Sequence, residues 1–133
     1  MTKDEERLRA GRPRPAGGFE LWTWYFMRVS GLALVLLALG HLAIMHLINS
    51  VDNIDFQFVA QRFATPFWRS YDLLMLILAL LHGCNGLRTV LEDYCHRPVL
   101  RVACIGTLYV ACFVFLVIGS LVIVTFQPSA FVK

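Results

Sequence analysis

Charge is scarce in this sequence. Of 133 residues, 16% are Asp, Glu, Lys or Arg and 58% are hydrophobic, and the mean hydropathy is +0.64. Soluble domains carry about 25% charged and roughly 45–50% apolar residues. A soluble chain of this size still exposes about a third of its unfolded surface after folding, so so apolar a chain is excluded from water and calls for lipid as its solvent. The four cysteines (Cys84, Cys95, Cys104, Cys112) have no C-x-x-C spacing. Three of them fall in apolar segments, where a thiol behaves as a small hydrophobe, and all four read as structural. Period-2 alternation is missing from the apolar runs, which argues against barrel strands. No A-x-A-like site accompanies the first apolar stretch, which begins late and runs long, so no cleavable signal peptide is expected.

What is present is three long apolar runs. Val29–Ile48 has 20 residues without Asp, Glu, Lys or Arg; Leu73–Leu91 has 19 with Arg88 alone; Val102–Phe126 has 25 with none. At about 1.5 Å per residue, about 20 residues cross a hydrocarbon core of about 30 Å. Backbone polar groups in lipid are satisfied only in helices or closed barrels. The fold expected is therefore an all-α membrane protein of three transmembrane helices, with spans at about 27–49, 67–94 and 100–126. Residues 1–20 form a tail and 21–133 a single membrane domain without internal repeats.

Five of the twelve Lys and Arg residues (Lys3, Arg7, Arg9, Arg12, Arg14) precede the first run, broken by Asp4, Glu5 and Glu6. That mixture reads as a topology signal, and no nucleic-acid partner is expected. The second connection carries Arg97 and Arg101, whereas the first has Arg62 beside Asp52 and Asp55, and the last tail has Lys133. By the positive-inside rule the amino terminus is cytoplasmic and the carboxyl terminus outside. Leu21 to Phe26 reads as an interfacial aromatic belt, and Arg12 to Gly18 as a flexible or extended linker. Thr65-Pro66 reads as a helix N-cap and first residue; Pro98 separates the second and third helices, and Pro128 ends the third.

Ligand-capable groups at membrane depth are costly and raise a functional hypothesis. The first span has His41 and His46. The second has His82, Asn85, Arg88 and, at its inner end, Glu92, Asp93 and Tyr94; the third has none. At 100° per residue, His82, Gly86, Thr89 and Asp93 lie within about 40° of one line, with Asn85 about 60° aside. Such a stripe faces partner helices or a cofactor. An imidazole there either bonds across helices or serves as an axial haem ligand, a neutral ring held at fixed depth. Gly83 and Gly86 leave room for a flat macrocycle, although small residues also serve helix packing. Counted from Arg28, His41 lies about 20 Å and His46 about 27 Å deep; counted from Asp93, His82 lies about 17 Å deep. His41 and His82 are thus expected at comparable levels, and His46 in an ordinary interfacial role. Tyr94 is either a belt residue or a phenol donor to a quinone carbonyl, with Asp93 ordering it or moving protons. Arg28 either snorkels at a helix start or orders those groups.

These residues resemble a known family. The segment His82 to Tyr94 resembles the H-x-x-x-G-x-x-x-V-x-x-D-Y pattern of the D-type membrane anchor of succinate dehydrogenase, respiratory complex II, with an especially close likeness to anchors of the actinobacterial type. Supporting matches are Met27-Arg28-Val29-Ser30-Gly31, Gly40-His41-Leu42, and the stretch from Asp55 to Trp68; the similarity covers about residues 20 to 127. The resemblance implies an integral, multi-pass protein of the bacterial inner membrane. It implies a second, C-type anchor subunit as partner, and an iron–sulfur and a flavoprotein subunit docked on the cytoplasmic or matrix side. It places His82 as the axial ligand of haem b, the other ligand coming from the partner anchor, and His41 as the ligand of a second haem in two-haem relatives. Tyr94, with Asp93, falls at the quinone site (menaquinone or ubiquinone), and Arg28 near quinone and haem propionates. Without a flavin or iron–sulfur motif, this chain is not expected to oxidise succinate alone. Two other readings stay open: the anchor of a quinol:fumarate reductase, and a non-haem structural membrane subunit whose histidines brace helices.

Overall fold

The computed structural model describes residues 18–127. The basic tail, most of the linker, Pro128 and Lys133 lie outside these described residues. The chain forms helix α1, Phe19–Ala43, which runs on through a π-helical turn, Ile44–Ile48. A 3-10 turn at Val51–Asn53 leads to α2, Phe56–Ala64; then come α3, Pro66–Tyr94, and α4, Pro98–Thr125. The described residues contain no strand.

Local chemistry sets each boundary. Gly18 precedes α1 at φ 146°, a backbone region that suits glycine. The π turn ends where Asn49 Nδ2 donates to the Ile44 carbonyl at 2.7 Å, beside its own backbone N–H to the same oxygen. Asp55 caps α2, its Oδ1 accepting from the Phe58 N–H at 2.8 Å. Pro66 and Pro98 stand in the first turns of α3 and α4, where a missing N–H costs nothing. After α3, His96 Nδ1 donates to the Tyr94 carbonyl at 3.0 Å and closes the connection to α4.

Three helices are long and apolar enough to cross a membrane: Leu21–Ile48, Pro66–Tyr94 and Pro98–Thr125, of 28, 29 and 28 residues. Each is roughly 42–44 Å long, so its ends project beyond a hydrocarbon core of about 30 Å. Helix α3 is central, with α1 and α4 antiparallel to it on either side. Gly119 meets α3 so closely that a Cβ there would stand 2.6 Å from Leu76 Cδ2. Nearby, the Cys112 thiol donates to the Leu80 carbonyl at 3.6 Å. Against α1, the Tyr71 hydroxyl donates to the Leu37 carbonyl beside Gly40. Among the described residues only Ser30, Ala60, Arg62 and Cys84 are buried. Val110 and Phe113 of α4 remain 64% and 66% exposed, which suits surfaces facing lipid or other chains.

Two boundaries differ from the sequence reading. Helix α1 starts at Phe19, about eight residues before the expected span, because Arg28 and the aromatic belt are carried within the helix. The stretch before the second span, read only as a motif, contains helix α2. It lies across the end of the bundle where α3 begins and α4 ends, with Phe63 against Phe126 at 5.6 Å between ring centroids. Arg69 fixes this end: it donates to the Phe63 carbonyl of α2, to the Phe126 carbonyl at 2.7 Å, and to the Val124 carbonyl at 3.4 Å. Carbonyls left over at the ends of α2 and α4 thereby find a cationic donor.

Candidate functional site

His82 sits on the α1-facing side of α3, about 12 residues before that helix ends at Tyr94. Its Nδ1 lies 2.9 Å from Ser30 Oγ, and Ser30 is 2% exposed. The Ser30 hydroxyl also donates to the Phe26 carbonyl one turn back, at 2.5 Å. The imidazole edge lies close against α1, so that a Cβ on Gly31 would stand 3.3 Å from His82 Cε1. The two glycines flanking the ring's level differ. A Cβ at Gly86 would touch Met27 Cε at 3.6 Å, whereas one at Gly83 meets nothing within 4 Å. Gly86 thus serves α1–α3 packing, whereas a side chain at Gly83 would meet open space.

The second histidine lies in a different setting. His41 Nδ1 is 3.6 Å from Asp72 Oδ1 and 3.5 Å from an Arg62 terminal nitrogen. Arg62 reaches from α2 and donates to both Asp72 oxygens, from NH2 at 3.1 Å and from Nε at 3.4 Å. Its guanidinium also covers the Trp68 ring at 4.2 Å and approaches Met45 Sδ at 3.9 Å. Arg62 and Asp72 side chains are 6% and 14% exposed. The sequence reading did not bring these residues together. Asp72 was passed over because the apolar run was counted from Leu73. The signal available was one acid and one base of opposite sign flanking the start of the second helix.

These contacts set the register of α1 against α3 and correct the expected depths. Ser30 is level with His82 and His41 with Asp72. From Ser30 to His41 along α1, and from Asp72 to His82 along α3, the rise is roughly 15–17 Å. The two histidines therefore lie at separate levels, His82 nearer the end of the bundle that holds Phe19 and Tyr94, and His41 nearer the end that holds α2. The expected equality counts α1 from Arg28, whereas the helix starts at Phe19. His46 is exposed on the π turn, in keeping with an interfacial role.

Arg28 stands two residues below Ser30, with its guanidinium 3.5 Å from the Trp24 ring centroid, so it leans inward by one turn. Asp93 and Tyr94 close α3 at its carboxyl-terminal end, both exposed, Tyr94 by 79%. The register puts the backbone of Arg28 roughly 15 Å from the level of Tyr94, and the chain does not bring the two into contact. Thr89 spends its hydroxyl on the Asn85 carbonyl at 3.1 Å. Asn85 and Arg88 turn away from His82 and line an apolar groove of about 570 Å³ between α1 and α4, walled by Trp22, Phe26, Tyr109 and Phe113. Arg88 Nε lies 3.3 Å from Glu92, one turn on. Among the described residues no three His, Cys, Asp or Glu side chains converge into a metal site, and all four thiols are free.

The model of the succinate dehydrogenase/fumarate reductase transmembrane subunit family matches residues 6–123 of this chain. The chain is also similar to the succinate dehydrogenase hydrophobic membrane anchor subunit of Archaeoglobus fulgidus, with 30% identity over 70 residues. That match covers 53% of this chain and 59% of the relative, so the chain spans somewhat over half the length of the relative it matches. With three apolar helices and a family match over most of its length, the chain is an integral, multi-pass membrane protein and belongs to the succinate dehydrogenase/fumarate reductase transmembrane subunit family.

Proposed function

We propose that this chain is the D-type anchor of a succinate:quinone oxidoreductase in a bacterial plasma membrane, similar to the actinobacterial kind, with its amino terminus cytoplasmic. It pairs with a C-type anchor subunit, and the two dock an iron–sulfur subunit and a flavoprotein at the inner face. In this reading His82 is an axial ligand of haem b, with the second ligand from the partner anchor. Bound there, haem supplies a one-electron store between the iron–sulfur subunit and quinone.

The observation that carries this reading is the environment of His82. One ring nitrogen, Nδ1, is held by Ser30, which leaves Nε2 for iron. A hydrogen bond on the non-ligating nitrogen is the usual support of a metal-bound histidine.

At the inner end, Tyr94 offers a phenol donor to a quinone carbonyl, and Asp93 beside it an exposed carboxylate to hand on protons from the cytoplasm. The quinone is a menaquinone or a ubiquinone. Arg28 stands within one turn of the His82 level, so a haem propionate is its more natural partner than the Tyr94 hydroxyl. His41 has two roles open to it. The separation from His82 suits the ligand of a second, outer haem, whereas its place beside Asp72 and Arg62 suits a brace for α2. Loss of part of the b-type absorbance in His41→Ala selects the first, and full absorbance with weakened assembly selects the second.

The test is the reduced-minus-oxidised spectrum of the purified complex beside that of His82→Ala. The wild type is expected to show a b-type band that the variant loses while flavoprotein still copurifies; an unchanged band removes the assignment. A quinol:fumarate reductase anchor has the same architecture run in reverse, and comparing both directions of turnover in the intact complex separates the two.

A further inference from the structure

We infer that Ser30 is a positioning residue that fixes His82 in its Nδ1–H tautomer and aims Nε2 at the iron, an inference that rests on the haem reading above. A serine hydroxyl has one proton. Here that proton is committed to the Phe26 carbonyl at 2.5 Å. Toward His82 Nδ1, 2.9 Å away, Ser30 Oγ is therefore an acceptor, and the ring must be the donor. Nδ1 carries the hydrogen, and in the neutral ring the lone pair falls on Nε2, the state in which imidazole binds iron.

Three features make this a built arrangement rather than a passing contact. Ser30 is 2% exposed, so water does not compete for its hydroxyl. The Phe26 carbonyl, the hydroxyl and the ring N–H form a chain in which each bond polarises the next. On the same turn Gly31 lets the imidazole lie against α1, since a Cβ there would stand 3.3 Å from Cε1 and force the ring aside. Serine in mid-helix ordinarily bonds back to its own turn and contributes little. The second bond across to α3 turns that habit into an acceptor of fixed position. Electron density pushed from Ser30 into the ring makes Nε2 the better donor to iron and favours the oxidised haem.

The tautomer is read directly from nitrogen NMR of histidine-labelled, haem-free wild-type complex. A protonated Nδ1 and a bare Nε2 on His82 are expected; a protonated Nε2 overturns the inference without any substitution. In the haem-loaded complex, Ser30→Ala is expected to weaken haem retention about 10–100-fold against a haem scavenger, and to shift the haem midpoint potential upward. Ser30→Thr, which keeps the hydroxyl, is expected to restore both. Retention and potential unchanged in Ser30→Ala, with haem still lost in His82→Ala, refute the role of Ser30 and leave the haem reading standing. Failure of Ser30→Thr to restore either quantity also refutes it, since the serine would then act by size alone. A wild-type complex without haem, or full haem in His82→Ala, removes the haem reading itself.

Discussion

Replacing Asp72 with Asn tests whether the α2 end of the bundle is held by an ion pair. The substitution keeps the shape of the side chain and deletes its charge, leaving Arg62, 6% exposed, without a counter-ion. Removing one partner of a buried pair costs about 3–5 kcal/mol, because the remaining charge stays out of water. The Trp68 ring at 4.2 Å keeps about 0.5–2 kcal/mol of attraction for the guanidinium, which argues for the lower end, about 3 kcal/mol. At roughly 2–4 °C per kcal/mol for a domain of this order of size, the apparent melting temperature should fall by about 6–12 °C. The assay is tryptophan fluorescence of the purified complex during a thermal ramp, with scan rate held constant. Exchanging both residues for apolar ones, Arg62→Leu with Asp72→Leu, removes the stranded charge and should recover most of the loss. A fall below about 2 °C in Asp72→Asn, or a double variant no better than the single one, would refute the reasoning.

Other outcomes follow from the same geometry. Gly119→Val places a side chain where Leu76 Cδ2 would already be within 2.6 Å of a Cβ, so α4 should lose about 1–3 kcal/mol of packing on α3, read as a lower melting temperature that the added change Leu76→Ala relieves. Cys95, in the connection between α3 and α4, has its thiol pushed above the ordinary range by partial burial and by Cys104 beside it. Thiolate is the reactive form, so alkylation of Cys95 should be slower than that of a free thiol near neutral pH and catch up as pH rises; impermeant maleimide should reach it only from the cytoplasmic side, and labelling from outside would invert the topology. Tyr94→Phe removes one phenol donor worth about 0.5–1.5 kcal/mol, expected as a roughly 2–10-fold rise in KM for quinone, with dye-linked succinate oxidation unchanged; an unaltered KM would take Tyr94 out of the quinone site.

Much of the fold was legible because lipid makes the demand simple. A run of about 20 uncharged apolar residues in lipid is satisfied as a helix; Val29–Ile48 and Leu73–Leu91 each lie within one long helix, and Val102–Phe126 overruns its helix by one residue. The ends were less legible, since the same rule treats any charge as a stop. Arg28 leans back onto Trp24, and Asp72 is neutralised by Arg62, so neither ends its helix. That misreading carried into the depths of the histidines, which only the pairing of α1 with α3 corrects. Helix α2 escaped notice because nine residues fall well short of a span, although Asp55 before it is an ordinary N-cap. His82 stood out as an imidazole at membrane depth; Ser30 did not, because a serine in an apolar run shows no partner until a second helix is laid against it. Asn85 was set beside His82 by angle, yet it lines the groove between α1 and α4, since a spread of about 60° suffices to change neighbours on a packed helix.

Haem per flavin, counted by pyridine haemochrome and flavin fluorescence in the intact complex, tests the central claim most directly. Wild type should carry at least one b haem per flavin, and His82→Ala one fewer, with the flavin content of the membrane fraction preserved. Equal haem per flavin in the two preparations would contradict the account and leave the imidazole as a contact between helices.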